Sequence, residues 1–137
     1  MVQKLKPHPF DHLQVAANFW TVRHGESEGN RSKVVQGHTD LPLTDQGRAQ
    51  ARAAGRWFRG RKIDLILASP LDRAHETARL IAAEMGLDPK AVILSDKLKE
   101  LDTGIFSNKT FAEIEATHAE AYKVFRAKSW EGVPGAE

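Results

Sequence analysis

The chain contains no cysteine, which excludes disulfide frameworks, thiolate zinc sites, iron–sulfur clusters and cysteine nucleophiles. Burial alone must hold the fold together. Aromatic residues make up 7%, with a single Tyr, and glycine and proline number only 10 and 6, so the composition is neither collagen-like nor low-complexity. No apolar run approaches the ~20 residues that span a bilayer. Residues 1–18 carry Lys4, Lys6, Pro7, Pro9 and Asp11 and lack the continuous apolar region of a signal peptide. A cytoplasmic location with no membrane partner is the expectation.

What is present is a globular balance. The 137 residues are 41% hydrophobic and 28% charged, with 20 Lys and Arg against 18 Asp and Glu for a net charge of +2. This length suits a single domain, with residues 1–14 expected to be a disordered polar leader. Residues 15–22 (VAANFWTV) form an apolar, β-prone run expected of a parallel strand buried on both faces, and it ends at Arg23-His24-Gly25. A loop leads to Thr44, a helix cap with Asp45 in the first turn. That helix is expected to run to Gly60 with Gly47, Ala51, Ala54 and Phe58 inward. A second strand over 63–68 (IDLILA) precedes Ser69-Pro70-Leu71-Asp72, where Ser69 is expected to cap a helix with Pro70 at its first position. Ala74, Ala78, Ile81 and Met85 mark its inner face, and Gly86 closes it. Residues 91–94 suggest a third strand and 97–110 a loop. Residues 110–128 read as one last helix with Phe111, Ile114, His118, Tyr122 and Phe125 along one side. Alternating strands and helices imply an α/β fold with a mostly parallel sheet flanked by helices.

In open α/β sheets ligands bind beyond the carboxyl ends of the strands. Two strands here end in Arg23-His24-Gly25-Glu26-Ser27 and Ser69-Pro70-Leu71-Asp72-Arg73. Two arginines and a helix N-terminus suit a phosphate. His24, neutral, is a competent nucleophile for phosphorus, and adjacent guanidinium groups disfavour its imidazolium form. Arg23 and Arg73 would match the charge that spreads over a phosphoryl group in flight. An acid must protonate the leaving alkoxide and later activate water, and Glu100, after the third strand, is the best-placed candidate. Glu26 and Asp102 read as local hydrogen-bonding residues.

The blocks VRHGESEGN (22–30), QGHTDLPLTDQGRAQA (36–51), LILASPLDRAHETARLI (65–81) and LKELDTG (98–104) resemble, in order and spacing, those of the histidine phosphatases, the phosphoglycerate mutase-like superfamily. The resemblance implies a three-layer sandwich in which His24 is phosphorylated, Arg23 and Arg73 bind the phosphoryl group and Glu100 is the proton donor. It also puts Asn30 at the phosphate, and Ser27, Gln36 and Gly37 near the substrate entrance. The family carries a second catalytic His on a later strand, for which this sequence has no counterpart. The single domain of residues 1–137 is therefore expected to be the first part of a C-terminally truncated member.

The leading expectation is a phosphomonoester hydrolase that works through a phosphohistidine on His24. Phosphoglycerate mutase-type transfer, or a catalytically incomplete phosphate-binding or scaffold module, are the alternatives. No cofactor is expected. His8, Asp11 and His12 could suggest a metal, but Pro9 opposes a helix there and no metal is assigned. Arg48, Arg52, Arg56 and Arg59 form a basic stripe without interleaved aromatics, a solvated face rather than a nucleic-acid surface. The expected partner is a small-molecule phosphate monoester or phosphate ion, with a second copy of the chain as a candidate at an exposed sheet edge.

Overall fold

The computed structural model describes residues 17–128 and 133–136. The leader at 1–14, with His8, Asp11 and His12, lies outside them. The elements that follow are α1 (Glu28–Ser32), α2 (Asp45–Phe58), β1 (Leu67–Ala68), α3 (Asp72–Met85), β2 (Ile93–Leu94), α4 (Phe111–Thr117) and α5 (Ala119–Lys128), with single 3₁₀ turns at Pro89–Ala91, Asp96–Leu98 and Gly104–Phe106.

Helix α2 starts where its sequence says. Thr44 accepts a hydrogen bond from the Gly47 amide, and Gly47, Ala51, Gly55 and Phe58 form the buried side. Small residues bring it close to its neighbours. A Cβ on Gly55 would run into the Ile81 backbone and the Glu84 side chain of α3. Ion pairs close the same seam: Glu84 of α3 faces Arg52 at 3.6 Å, Arg56 at 4.0 Å and Arg59 at 2.7 Å, while Arg48 meets Glu76 at 2.7 Å. The arginine stripe of α2 is thus engaged with α3.

β1 and β2 pair in parallel, Leu67 with Ile93 and Ala68 with Leu94, joined through α3 as a β–α–β crossover. α3 covers the pair with Ala78 and Ala82, which pack with Ala68 and Val92. Leu67, Ile93 and Leu94 stay exposed, so only one side is covered by the described residues. The expected strand over 15–22 is not seen at 17–22, where Phe19, Trp20 and Val22 are exposed. A strand exists only through its ladder, and no described segment pairs with this one. The α/β order and the parallel pairing agree with expectation; the sheet is smaller.

Two boundaries also differ. Leu71, not Ser69, is the N-cap of α3, and it makes no side-chain capping bond. The Asp72 amide instead donates to the Asp40 carboxylate at 2.6 Å, and Ser69 accepts from Leu71 N. The single helix expected over 110–128 is two. His118 leaves helical geometry at φ −138° and ends α4, and its Nδ1 lies 2.6 Å from the Thr117 hydroxyl. Its neighbours still form one apolar cluster, with Phe106, Ile114 and Val133 buried and Tyr122 and Phe125 packed against them.

Candidate active site

His24 sits where an irregular segment is pinned between two helices. The Gly25 amide donates to the Thr77 hydroxyl of α3 at 3.1 Å. On the other side Gly25 lies directly against the α2 backbone, where a Cβ would strike the Gly47 carbonyl. Glu26 is locked into the start of α2: its amide donates to Gln50 at 2.8 Å, its carbonyl accepts from Thr44 N at 2.9 Å, and its carboxylate accepts from the Thr44 hydroxyl at 2.7 Å. Glu26 therefore acts locally, as expected.

The His24 ring is half-buried, with Nδ1 2.7 Å from the Gly25 carbonyl oxygen. A carbonyl can only accept, so Nδ1 carries the hydrogen and the neutral ring presents its lone pair at Nε2. Burial lowers the His24 pKa below its ordinary 6.5. The Gly25 bond opposes this, Arg73 and Arg23 lower it further, and Glu100 raises it. The same interactions place all three charged groups in one electrostatic neighbourhood with His24. Arg23 is exposed beside the ring.

Arg73, at the second position of α3, is 1% exposed, and residues 37–40 cradle it. Nη2 donates to the Gly37 carbonyl at 2.7 Å and Nη1 to the Thr39 carbonyl at 3.0 Å, with the Asp40 carboxylate 3.5 Å from Nη1. Nη2 also meets the Glu100 carboxylate at 3.0 Å. Nε is buried with no partner among the described residues, an unmet donor of the kind an anion satisfies. The expected anion site at the start of α3 is altered, because Asp40 already occupies the Asp72 amide.

Of the residues expected at the phosphate and near the substrate entrance, Ser27 is fully buried as the N-cap of α1, and Asn30 returns its side chain to the Ser27 amide in a capping box. Ser27 also contacts Gln36 at 2.9 Å. Gly37 holds φ +52°, with Thr103 packed where a Cβ would stand. These residues shape the loop under Arg73; Ser27 itself offers a ligand no surface. Asp102 accepts from Gly104 N at 2.9 Å and also faces the His38 ring at 3.3 Å. Among the described residues no cluster of His, Asp and Glu could hold a metal, and no helix is long and apolar enough to cross a membrane.

The structure thus groups His24, Arg23, Arg73 and Glu100, and residues 19–137 match the model of the histidine phosphatase superfamily, branch 1. The chain belongs to the histidine phosphatase superfamily. Phosphoglycerate mutase-like protein 4 of Arabidopsis thaliana is 38% identical over 122 residues, which cover 87% of this chain and 52% of that protein. Among solved structures, the α-ribazole phosphatase of Shigella flexneri superposes with a TM-score of 0.74 at 29% identity, over 85% of this chain and 56% of that one. A mycobacterial glucosyl-3-phosphoglycerate phosphatase, solved with inorganic phosphate, gives 0.63 at 32% identity, over 75% of this chain and 46% of that one. The chain spans about half the length of the curated relatives it matches.

Sequence reasoning missed Asp40, Thr77 and His38. Asp40 and Thr77 act across the fold, as a cap and as an anchor contributed from a distance, and no local pattern announces that. His38 stands between Gly37 and Thr39 in one of the recognised blocks, which was the available signal.

Proposed function

We propose that this histidine phosphatase hydrolyses a small-molecule phosphate monoester in two steps through His24. Nε2 attacks phosphorus, the N–P bond forms as the ester P–O bond breaks, and the departing oxygen takes a proton from Glu100. Water then attacks the phosphohistidine, its proton passes to Glu100, and the N–P bond breaks to release inorganic phosphate and the free ring. Arg73 and Arg23 bear the charge on the phosphoryl oxygens, and need no reorganisation as it develops.

The observation that carries this reading is the Nδ1 bond to the Gly25 carbonyl, which leaves an uncharged nucleophilic nitrogen beside two arginines. The unmet Nε–H of Arg73 supports an anion there. A phosphate oxygen that takes Nη2 displaces the Glu100 carboxylate and frees it to face the leaving group. Asn30, Ser27, Gln36 and Gly37 serve the site by holding the loop that cradles Arg73. Every group invoked belongs to the chain, so the hydrolysis draws on no cofactor. The alternative, transfer to a second hydroxyl, keeps the first step and changes only the acceptor; mutase-like relatives favour it.

The test is turnover of nitrophenyl phosphate by wild type and by His24→Ala. The proposal expects release of nitrophenol that the substitution reduces at least a hundredfold, in line with the loss of a covalent nucleophile. Equal release by both proteins overturns it.

A further inference from the structure

His38 lies outside the set of reacting groups, yet it joins two of them. The carbonyls on either side of it, Gly37 O and Thr39 O, both accept from Arg73. Its ring turns the other way. Nε2 lies 2.8 Å from the main-chain oxygen of Glu100, and Nδ1 lies 3.3 Å from Oδ2 of Asp102. Both neighbours are acceptors, so a neutral ring satisfies one and the doubly protonated ring satisfies both. Asp102 is itself fixed by the Gly104 amide, and Gly37 packs on Thr103. Residues 37–40 therefore wedge between Arg73 and the 100–104 segment, with His38 as the side chain that fastens the wedge.

The consequence concerns Glu100. Its carboxylate is 58% exposed and is held by its ion pair with Arg73 at 3.0 Å. A phosphate that claims Nη2 removes that hold at the moment the acid is needed. The main-chain bond to His38 does not involve the guanidinium and survives. We propose that His38 is a positioning residue that fixes the Glu100 main chain beside Arg73, and so keeps the carboxyl within reach of the leaving group after phosphate has bound. This rests on the phosphoryl-transfer reading above. His38 acts through Glu100 and takes no proton from the substrate.

The test compares wild type, His38→Leu and His38→Gln on two esters. Nitrophenyl phosphate has a leaving group that departs with little help from an acid; a simple alkyl phosphate requires one. His38→Leu is expected to lower kcat/KM, which reports transfer to His24 and not the later hydrolysis of the phosphohistidine, about tenfold on the alkyl ester and no more than about twofold on the nitrophenyl ester. His38→Gln, whose amide can still donate to the Glu100 carbonyl, recovers most of the loss. An equal loss on both esters, or none on either, overturns the proposal.

A second measurement needs no turnover. Trypsin cleavage after Lys99, at the bond that precedes Glu100, is expected to be several-fold faster in His38→Leu than in wild type, while cleavage after exposed Lys62 is unchanged. Unchanged cleavage after Lys99 overturns the clamp. If wild type hydrolyses neither ester, the phosphatase reading fails, and the trypsin result alone decides the role of His38.

Discussion

His24 depends on its surroundings for the form of its ring. Burial, with Arg73 and Arg23 adding to it against the Gly25 bond, lowers its pKa from 6.5, so the neutral ring, the form the proposed attack requires, persists to more acidic pH than a free imidazole would allow. The acid limb of kcat/KM is therefore expected below pH 6.5 in wild type. Replacement of Arg23 by Gln removes one lowering influence and should move the titration of the His24 ring upward, as followed by NMR. A downward move contradicts this electrostatic account. The stability consequence has a definite sign: between the folded and unfolded pKa values the unfolded chain binds more protons, so stability falls as pH drops from 6.5 through the folded value. Arg73 differs in kind. Its charge is permanent, and the loop at 37–40 fixes where that charge sits.

The elements show which structure is written locally. Thr44 caps α2 with a bond to Gly47 N, Gly86 ends α3 at φ +79°, and Thr110 with Glu113 forms a capping box on α4. All were legible, or partly so, because the residues that make the bonds lie within a turn of one another. The start of α3 was not. Its cap is Asp40, 32 residues upstream, and Ser69, the local candidate, serves the turn before the helix. The break at His118 was hidden too, since the apolar spacing from Phe111 to Phe125 continues through it. The strand expected over 15–22 depends on a partner, which no run of apolar residues specifies. Asp40→Ala tests the distant cap. It should lower thermal stability by about 1 kcal/mol, as loss of a capping carboxylate does, and it should raise KM for a phosphate ester by loosening Arg73. Unchanged stability and KM would show that Asp40 supports neither the helix nor the guanidinium.

At the scale of the whole molecule, a small parallel sheet, two packed helices and an apolar cluster serve mainly to bring three distant stretches together. His24 comes from the segment pinned between α2 and α3, Arg73 from the first turn of α3, and Glu100 from the segment after β2. The order and spacing of the blocks, through their family resemblance, made this grouping legible, although the strand expected ahead of His24 is not seen at 17–22. What the sequence could not convey is the scaffolding around them: the Arg73 cradle, the Asp40 cap and the His38 bridge arise from contacts more than 30 residues apart. The seam between α2 and α3, tied by Glu84 to three arginines, gives the site a firm floor, although each exposed pair contributes no more than about 1 kcal/mol.

The central claim is that His24 takes the phosphoryl group onto Nε2. The most direct measurement is to mix the chain with a reactive phosphate monoester, quench in base, and map any phosphoryl adduct by mass spectrometry. The account predicts one adduct on the peptide containing His24, stable in base, lost in mild acid and absent from His24→Ala. An adduct on another residue, or one that persists in the His24→Ala protein, would contradict it.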